Sequence, residues 1–558
     1  MWKKLQEILY QVFTSVRMIL SPTTTPIWGS VSRVDWTATP ILAIQELVRC
    51  PRSEENLQLS SVGRLSDILS PPEITSLLET FETRYTPWIC AQPGPLENSN
   101  SFLDIVRCTI ASRHLSPAAR SAVAPRLQKL TEDVFIREIF NPQPSLDSIT
   151  ALLILSVWTP ICGTGAQPRD GRLLIASAVS VAMNLHLQNA SKRALSLRAE
   201  QGVLTPEKQA ELLDSIRRWR LWVHLSISES ILCLGTGRTP VSHFSQLDQD
   251  MLSLSSLPDF TLTAIRDIRL GLTAKMFELS ETALKLRLKG PEDLPHFFEK
   301  VNESIYALEE LSRLFTPLPV ITQHDTFYSQ MLLIKYSACR LLVTHHALRE
   351  TRTVHERDTP LMRWFDARAG DNHVSLFWGR MALMSAESIL TTFLAASDLP
   401  LLSTAPDNFY VMVGFASTWI FVSNFSVHQL GGSKLGGASE LLQSMTIQRL
   451  NQIAHSPDHA AARCGHVLGA LMSAWQRRKL EQPPEGDAPC PILDIPYASF
   501  QPISNPALAS REPDVNPPTY SDPAGSRTTD LFMDDAFWTS FLENLESDTF
   551  IAQNSGPT

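Results

Sequence analysis

The sequence predicts an all-α protein with a mostly disordered acidic C-terminal tail, and three observations carry that prediction. Apolar residues recur at helical spacing over long stretches: Leu212, Ile216, Trp219, Val223, Ile227, Ile231 and Leu234 form one stripe, as the 3.6-residue period requires. Period-two alternation bounded by hairpin turns is scarce. Helix start and stop residues fall where the stripes begin and end.

The elements follow in order. At the N-terminus Leu5, Leu9, Val12, Val16 and Ile19 share one helical face, while Glu7, Gln11 and Arg17 interrupt any apolar run. That excludes a signal peptide, which needs an unbroken apolar core. Residues 1–59 are read as an amphipathic helix and a linker. Ser145 or Asp147 caps a helix through residues 152–157 that Pro160 limits, and Leu174, Ala178, Val181 and Leu185 mark the next. A long helix over 206–234 is closed by Gly235, Gly237 and Pro240. Similar patterns cover 265–288, 294–314, 327–348 and 374–396. Residues 408–430 carry no formal charge, which raises the question of a membrane span. Ser417, Thr418, Ser423, Asn424 and Ser426 and the lack of a following basic cluster favour a buried helix instead. The Gly-rich run 431–437 reads as a helix connector. Residues 60–479 are therefore taken as one large helical domain of ten or more helices, and no membrane association is expected.

After residue 479 the composition changes. Residues 480–558 hold 12 of the 38 prolines, and two basic residues stand against thirteen acidic ones. The net charge of −9 thus divides into −11 for this tail and +2 for residues 1–479. Most of the tail lacks the apolar content to fold alone. Within it, residues 530–548 interleave six acids with Phe532, Phe537, Trp538, Phe541, Leu542 and Leu545. Acids keep such aromatics solvated until a partner's groove orders them as a helix, the composition of an acidic activation segment that binds a coactivator.

Enzyme and metal motifs are absent. The eight cysteines contain no Cys-x-x-Cys, so no zinc site of the usual spacing is formed, and they read as free thiols in a reducing compartment. There is no phosphate-binding Gly-x-x-x-x-Gly-Lys loop and no Gly-x-Ser-x-Gly. His355-Glu356 lacks the second histidine of a zinc-protease helix, and Asp534-Asp535 lacks a third carboxylate. His345 and His346, adjacent on a helix, point about 100° apart and do not readily share a metal. No catalytic, cofactor-binding or metal residues are assigned.

Two stretches resemble a known family. The first is Pro144-Ser145-Leu146-Asp147, then Asp170-Gly171-Arg172 to Asn184-Leu185-His186-Leu187. The second is Arg217-Arg218-Trp219-Arg220-Leu221-Trp222, then Ser228-Glu229-Ser230 and Gly237-Arg238-Thr239-Pro240. They resemble the middle homology, or fungal-specific, regulatory domain of zinc-cluster transcription factors. The family's usual glycine before Leu-His is Asn184 here, its Asp-Arg appears as Ser228-Glu229-Ser230, and its Gly-Arg-Pro carries an inserted Thr239. Read physically, the second stretch buries Trp219 and exposes or pairs Arg217, Arg218 and Arg220. Gly237 ends the helix, and Arg238 ties the following loop to a carboxylate or to helix carbonyls. These residues, with Trp222 and Pro240, are expected to be scaffold.

The resemblance implies a fungal nuclear transcriptional regulator that is not an enzyme and controls metabolic or secondary-metabolite genes. The family's DNA-binding module uses six cysteines that share two zinc ions, yet residues 1–60 contain only Cys50. No zinc cofactor is therefore expected from this chain, nor direct DNA binding. The expected partners are coactivators or the transcription machinery, a homodimeric or heterodimeric DNA-binding factor, and a small-molecule effector. Two alternatives stand beside this reading: a finger-less inhibitor that heterodimerises with full-length factors, and an all-α enzyme acting on a lipid or isoprenoid.

Overall fold

A computed structural model of the chain describes residues 63–89, 101–141, 144–158, 171–200, 205–234, 238–253, 262–316, 318, 326–358, 367–429 and 438–481. The N-terminal amphipathic stretch, Gly237, the connector 431–437 and the aromatic segment 530–548 lie outside the described residues. Among those described are 17 α-helices. One two-stranded hairpin, Arg368–Ala369 against Asn372–His373, was not expected from the sequence. Its turn depends on Gly370, whose φ of 60° is one that residues with a Cβ resist.

Local chemistry sets the helix starts. Three helices open with a Ser or Thr followed by proline at the first helical position: α1 (Pro71–Arg84), α4 (Pro117–Ile139) and α8 (Pro206–Cys233). Proline costs nothing there because its missing N–H would be unpaired anyway. Ser116 and Thr205 accept from the N–H groups of Ala119 and Lys208. At α1, the Glu73 carboxylate reaches back to the Ser70 N–H at 2.8 Å. Between them come the short α2 (Thr86–Ile89) and α3 (Phe102–Ala111), the latter buried on every side. Of the two candidate caps for α5 (Leu146–Val157), Ser145 is the one used, accepting from the Ser148 N–H. Helix α6 (Gly171–Asn184) begins hard against the end of α5. A Cβ on Gly171 would lie 2.6 Å from the Ser156 carbonyl oxygen, so glycine is required for that approach.

Two apolar cores result, and α8 is the wall between them. Leu221, Trp222, Leu225 and Leu232 face the first core with α1, α3, α5 and α6. Trp219, Val223, Ile227 and Leu234 face the second. That core holds α10 (Leu262–Leu284), α11 (Leu294–Phe315), α12 (Thr326–Asp358), α13 (Val374–Ala395), α15 (Asp407–Gln429), α16 (Ala438–Ile453) and α17 (Ala460–Glu481). The remaining helices, α7 (Ala190–Ala199), α9 (Gln246–Ser253) and α14 (Leu399–Leu402), are short.

The uncharged stretch from Asn408 lies in α15, where Tyr410, Val413, Ala416 and Ile420 are all fully enclosed. Among the described residues no single helix is long and apolar enough to cross a membrane, although the bent pair Gly171–Asn184 and Leu187–Ala199 meets that test by length and composition. Hydrogen bonds stitch the cores together. The Trp158 indole donates to the carbonyls of Thr404 and Ala405 at 3.0 and 3.2 Å, and Trp88 donates to the Thr404 hydroxyl at 3.1 Å.

Candidate functional site: two pockets beside the central helix

The motif residues of α8 mostly hold this wall in place. Trp219 and Trp222 are buried at 1% and 5% exposure, but they point into different cores. Arg217 pairs with Asp147 at 3.2 Å, which joins the two sequence stretches that carry the family resemblance. Arg218 bonds Asp214 one turn back at 2.6 Å. Arg220 is not on a solvated face: its guanidinium meets Asp267 on α10 in a buried, two-pronged pair at 2.7 and 2.7 Å.

A buried charge left without its partner costs about 3–5 kcal/mol. Asp267→Ala is therefore expected to destabilise the body by about that amount, because Arg220 is left in the interior beside Arg198. Arg220→Met with Asp267→Leu should lose clearly less. Chemical denaturation of the three proteins checks this, and a double variant no better than Asp267→Ala would refute it.

The loop after α8 departs from expectation. Arg238 and Thr239 are exposed, whereas Pro240 is buried. A carboxylate does tie the loop down, but it works through a different residue. Glu229, 4% exposed, accepts from both the N–H and the hydroxyl of Ser242. Glu229 belongs to the Ser-Glu-Ser element that departs from the family pattern, so the altered motif supplies the loop's anchor. The first element ends in a similar substitution. With Asn184 in place of the usual glycine, His186 takes the left-handed conformation at φ 56°, the one non-glycine residue described that does so.

Two pockets flank α8. The first lies at the seam between the cores and comprises about 740 Å³ of space between atoms, its mouth included. Trp88, Ile227, Ile231, Phe409 and Met412 give it an apolar wall. Its polar lining includes His224, Arg269 and Lys335 and, among the described residues, no carboxylate. Burial, reinforced by Lys335 and Arg269, pushes the His224 imidazole down to about 3, so it is neutral at ordinary pH. Its Nε2 has no hydrogen-bond partner, and the residue is 6% exposed. Arg269 is fixed by a 2.7 Å bond to the Pro87 carbonyl and by stacking 4.8 Å over the Tyr328 ring.

The second pocket, about 760 Å³, opens at the end of α8 and brings Arg238 and Pro240 beside Lys285, Arg287 and Arg349. Burial holds its one carboxyl, Glu281, above the usual range, against a bond from Ser230. His345 and His346 also line it and diverge as their helical spacing requires. His345 meets the edges of Phe415 and Trp419, while His346 sits 2.8 Å from the Leu286 carbonyl.

Among the described residues no group of three or more His, Cys, Asp or Glu is placed to hold a metal ion. Cys108, Cys233, Cys339 and Cys464 are buried thiols outside any disulfide, and burial raises them to about 12, 11, 12 and 12. Such thiols are poor nucleophiles.

The sequence did not single out His224, Arg269 or Lys335. They stand on α8, α10 and α12, and only the fold brings them together.

The body is all-helical and braced on one long central helix, with motif residues spent on its joints. A family model described as the middle domain of the transcriptional activator of proteases prtT matches residues 67–363. The chain belongs to this family, a fungal transcription factor middle-homology region. No curated protein and no solved structure matches the chain. The family is one of transcription regulators, which implies a nuclear role.

Proposed function

We propose that this chain is the regulatory and activating part of a fungal nuclear regulator of metabolic genes, genes for proteases among them. The match of the family model across residues 67–363 carries the reading, and the family's description supplies the protease genes. In this reading the helical body presents or restrains the acidic tail, and the tail recruits coactivators through Phe532, Phe537, Trp538, Phe541, Leu542 and Leu545. DNA contact comes from a zinc-cluster module or a dimer partner rather than from the helical body, which carries no enzyme activity of its own. The split of charge supports a separable tail: −11 over residues 480–558 against +2 for the rest.

A fusion of residues 500–558 to a heterologous DNA-binding domain tests it. The fusion should activate a reporter, and Phe537→Ala with Trp538→Ala should return output to background. A silent wild-type fusion, or a double variant with unchanged output, would remove the activation reading. Repression of target genes by the overexpressed full chain, together with a silent tail fusion, would favour the finger-less inhibitor.

A further inference from the structure

We propose that the seam pocket beside α8 is a binding site for a small apolar carboxylic acid, held with its carboxylate toward His224, Arg269 and Lys335 and its body against Trp88, Phe409 and Met412. As a control site this rests on the regulatory reading above; as a binding site it stands on the pocket alone.

Three observations carry it. First, the polar side of the pocket is of one sign. Arg269 and Lys335 both line it, no carboxylate among the described residues does, and the electrostatics of both reach His224. A partly enclosed pocket with that lining disfavours cations and favours an anion. Second, the His224 Nε2 is buried without a hydrogen-bond partner. Buried polar atoms are almost always satisfied, and an unsatisfied one on a pocket-lining side chain is completed by a ligand that the pocket adjusts to admit. A neutral imidazole carrying its proton on Nε2 donates to a carboxylate oxygen, and an acid placed there draws two cations and a donor to one group. Third, the opposite wall is aromatic and apolar. Trp88 is set edge-on to Tyr328 and Phe409 at 5.2 and 5.9 Å, and its indole N–H is already bonded to Thr404. That wall offers the ligand contact area and no further donor from the indole. The enclosed part is small, which suits a single ring or a short chain.

The location gives binding a consequence. The lining comes from α2, α5, α8, α10, α12 and α15, so a ligand touches residues of both cores. A ligand that binds this closed arrangement and not a looser one stabilises it by mass action. The residues that complete the pocket, Pro406 to Met412, lie beyond the family-matched stretch.

The test uses the purified full chain with phenylacetate and hexanoate as probes and with 2-phenylethanol and 2-phenylethylamine as their uncharged and cationic counterparts. Calorimetry and thermal melts should show saturable binding of the acids and a rise in melting temperature, with the alcohol and amine weaker by at least about tenfold. Lys335→Met should weaken the acids by at least about tenfold. His224→Phe should do the same without lowering the melting temperature of the free protein, since its Nε2 has no protein partner to lose. Equal binding of acid and alcohol, or acid binding that survives both variants, would overturn the proposal. So would the absence of saturable binding by either acid. The reporter assay on the tail is independent of this result, so the pocket and the regulatory reading fail separately.

Discussion

A chain ending at residue 363 will not fold as an independent body, although the family model ends there. The reason lies in what covers α12. The second core runs without a break from Ala190 to Ala474, and α12 lies along α13 for much of its length. Removing residues 364–481 strips away Trp378, Ile389, Leu390, Phe393, Tyr410 and Val413, each fully enclosed. Each such side chain contributes about 1.5–3 kcal/mol by burial. Six of them together are worth about 9–18 kcal/mol, as large as the whole net stability of about 5–15 kcal/mol typical of a domain. The loss also frees the Trp158 and Trp88 indoles from Thr404. Residues 60–363 should therefore lack a cooperative thermal transition and be cleaved throughout by dilute protease, whereas 60–481 should melt cooperatively. A monomeric, protease-resistant 60–363 would refute this.

How much of this was legible beforehand depended on whether the determinant was local. The stripe from Leu212 to Leu234 declares a helix because burial repeats every three to four residues. The same stripe accounts for one side of α8 only. Leu221, Trp222, Leu225 and Leu232 break the amphipathic pattern because a dividing wall is buried on both faces. The partners of Arg217 and Arg220 were not readable: Asp147 and Asp267 are 70 and 47 residues away. Glu229 gave a faint signal as the lone acid in the apolar half of α8, but nothing local links it to Ser242. The seam pocket was invisible for the same reason, since His224, Arg269, Lys335 and Phe409 meet only through tertiary packing. In contrast, the charge split between body and tail and the spacing of the aromatics in 530–548 are properties of composition, and the sequence states them in full.

The helical body should be acid-labile well above the range in which carboxylates titrate. His114, His455 and His459 form a cluster in which His459 is fully enclosed and the other two are half-buried, with ring centroids 4.5 Å apart for His114 and His455 and 5.5 Å for His455 and His459. Burial lowers all three, His114 to about 3, His455 to about 4 and His459 well below 6.5. Arg113 and the neighbouring histidines add to the effect, with Arg84 beside His114 and His455, Arg120 beside His455 and Arg463 beside His459. Buried His224 and His346 are lowered likewise, to about 3 and about 4.

In the unfolded chain each takes a proton near pH 6.5, whereas in the folded chain it stays neutral until far lower. The unfolded state thus binds more protons throughout the window from about 6.5 down to about 4, and stability falls as pH falls through it. At pH 5 the loss is roughly 2 kcal/mol per histidine. Burial raises Asp104, Glu281 and Glu387. Those groups take protons more readily when folded and offset part of the loss. The lowered carboxyls, Glu73 and Asp358, take protons less readily when folded and add to the decline at its acid end. Denaturant melts at pH 7.5, 6 and 5 should show the decline beginning near 6.5. His459→Phe keeps a ring against Tyr410 and removes one titration, so it should lose about 2 kcal/mol less than the parent between pH 7.5 and 5. Parallel pH profiles for the two proteins would show that His459 is not held neutral and would sink the account.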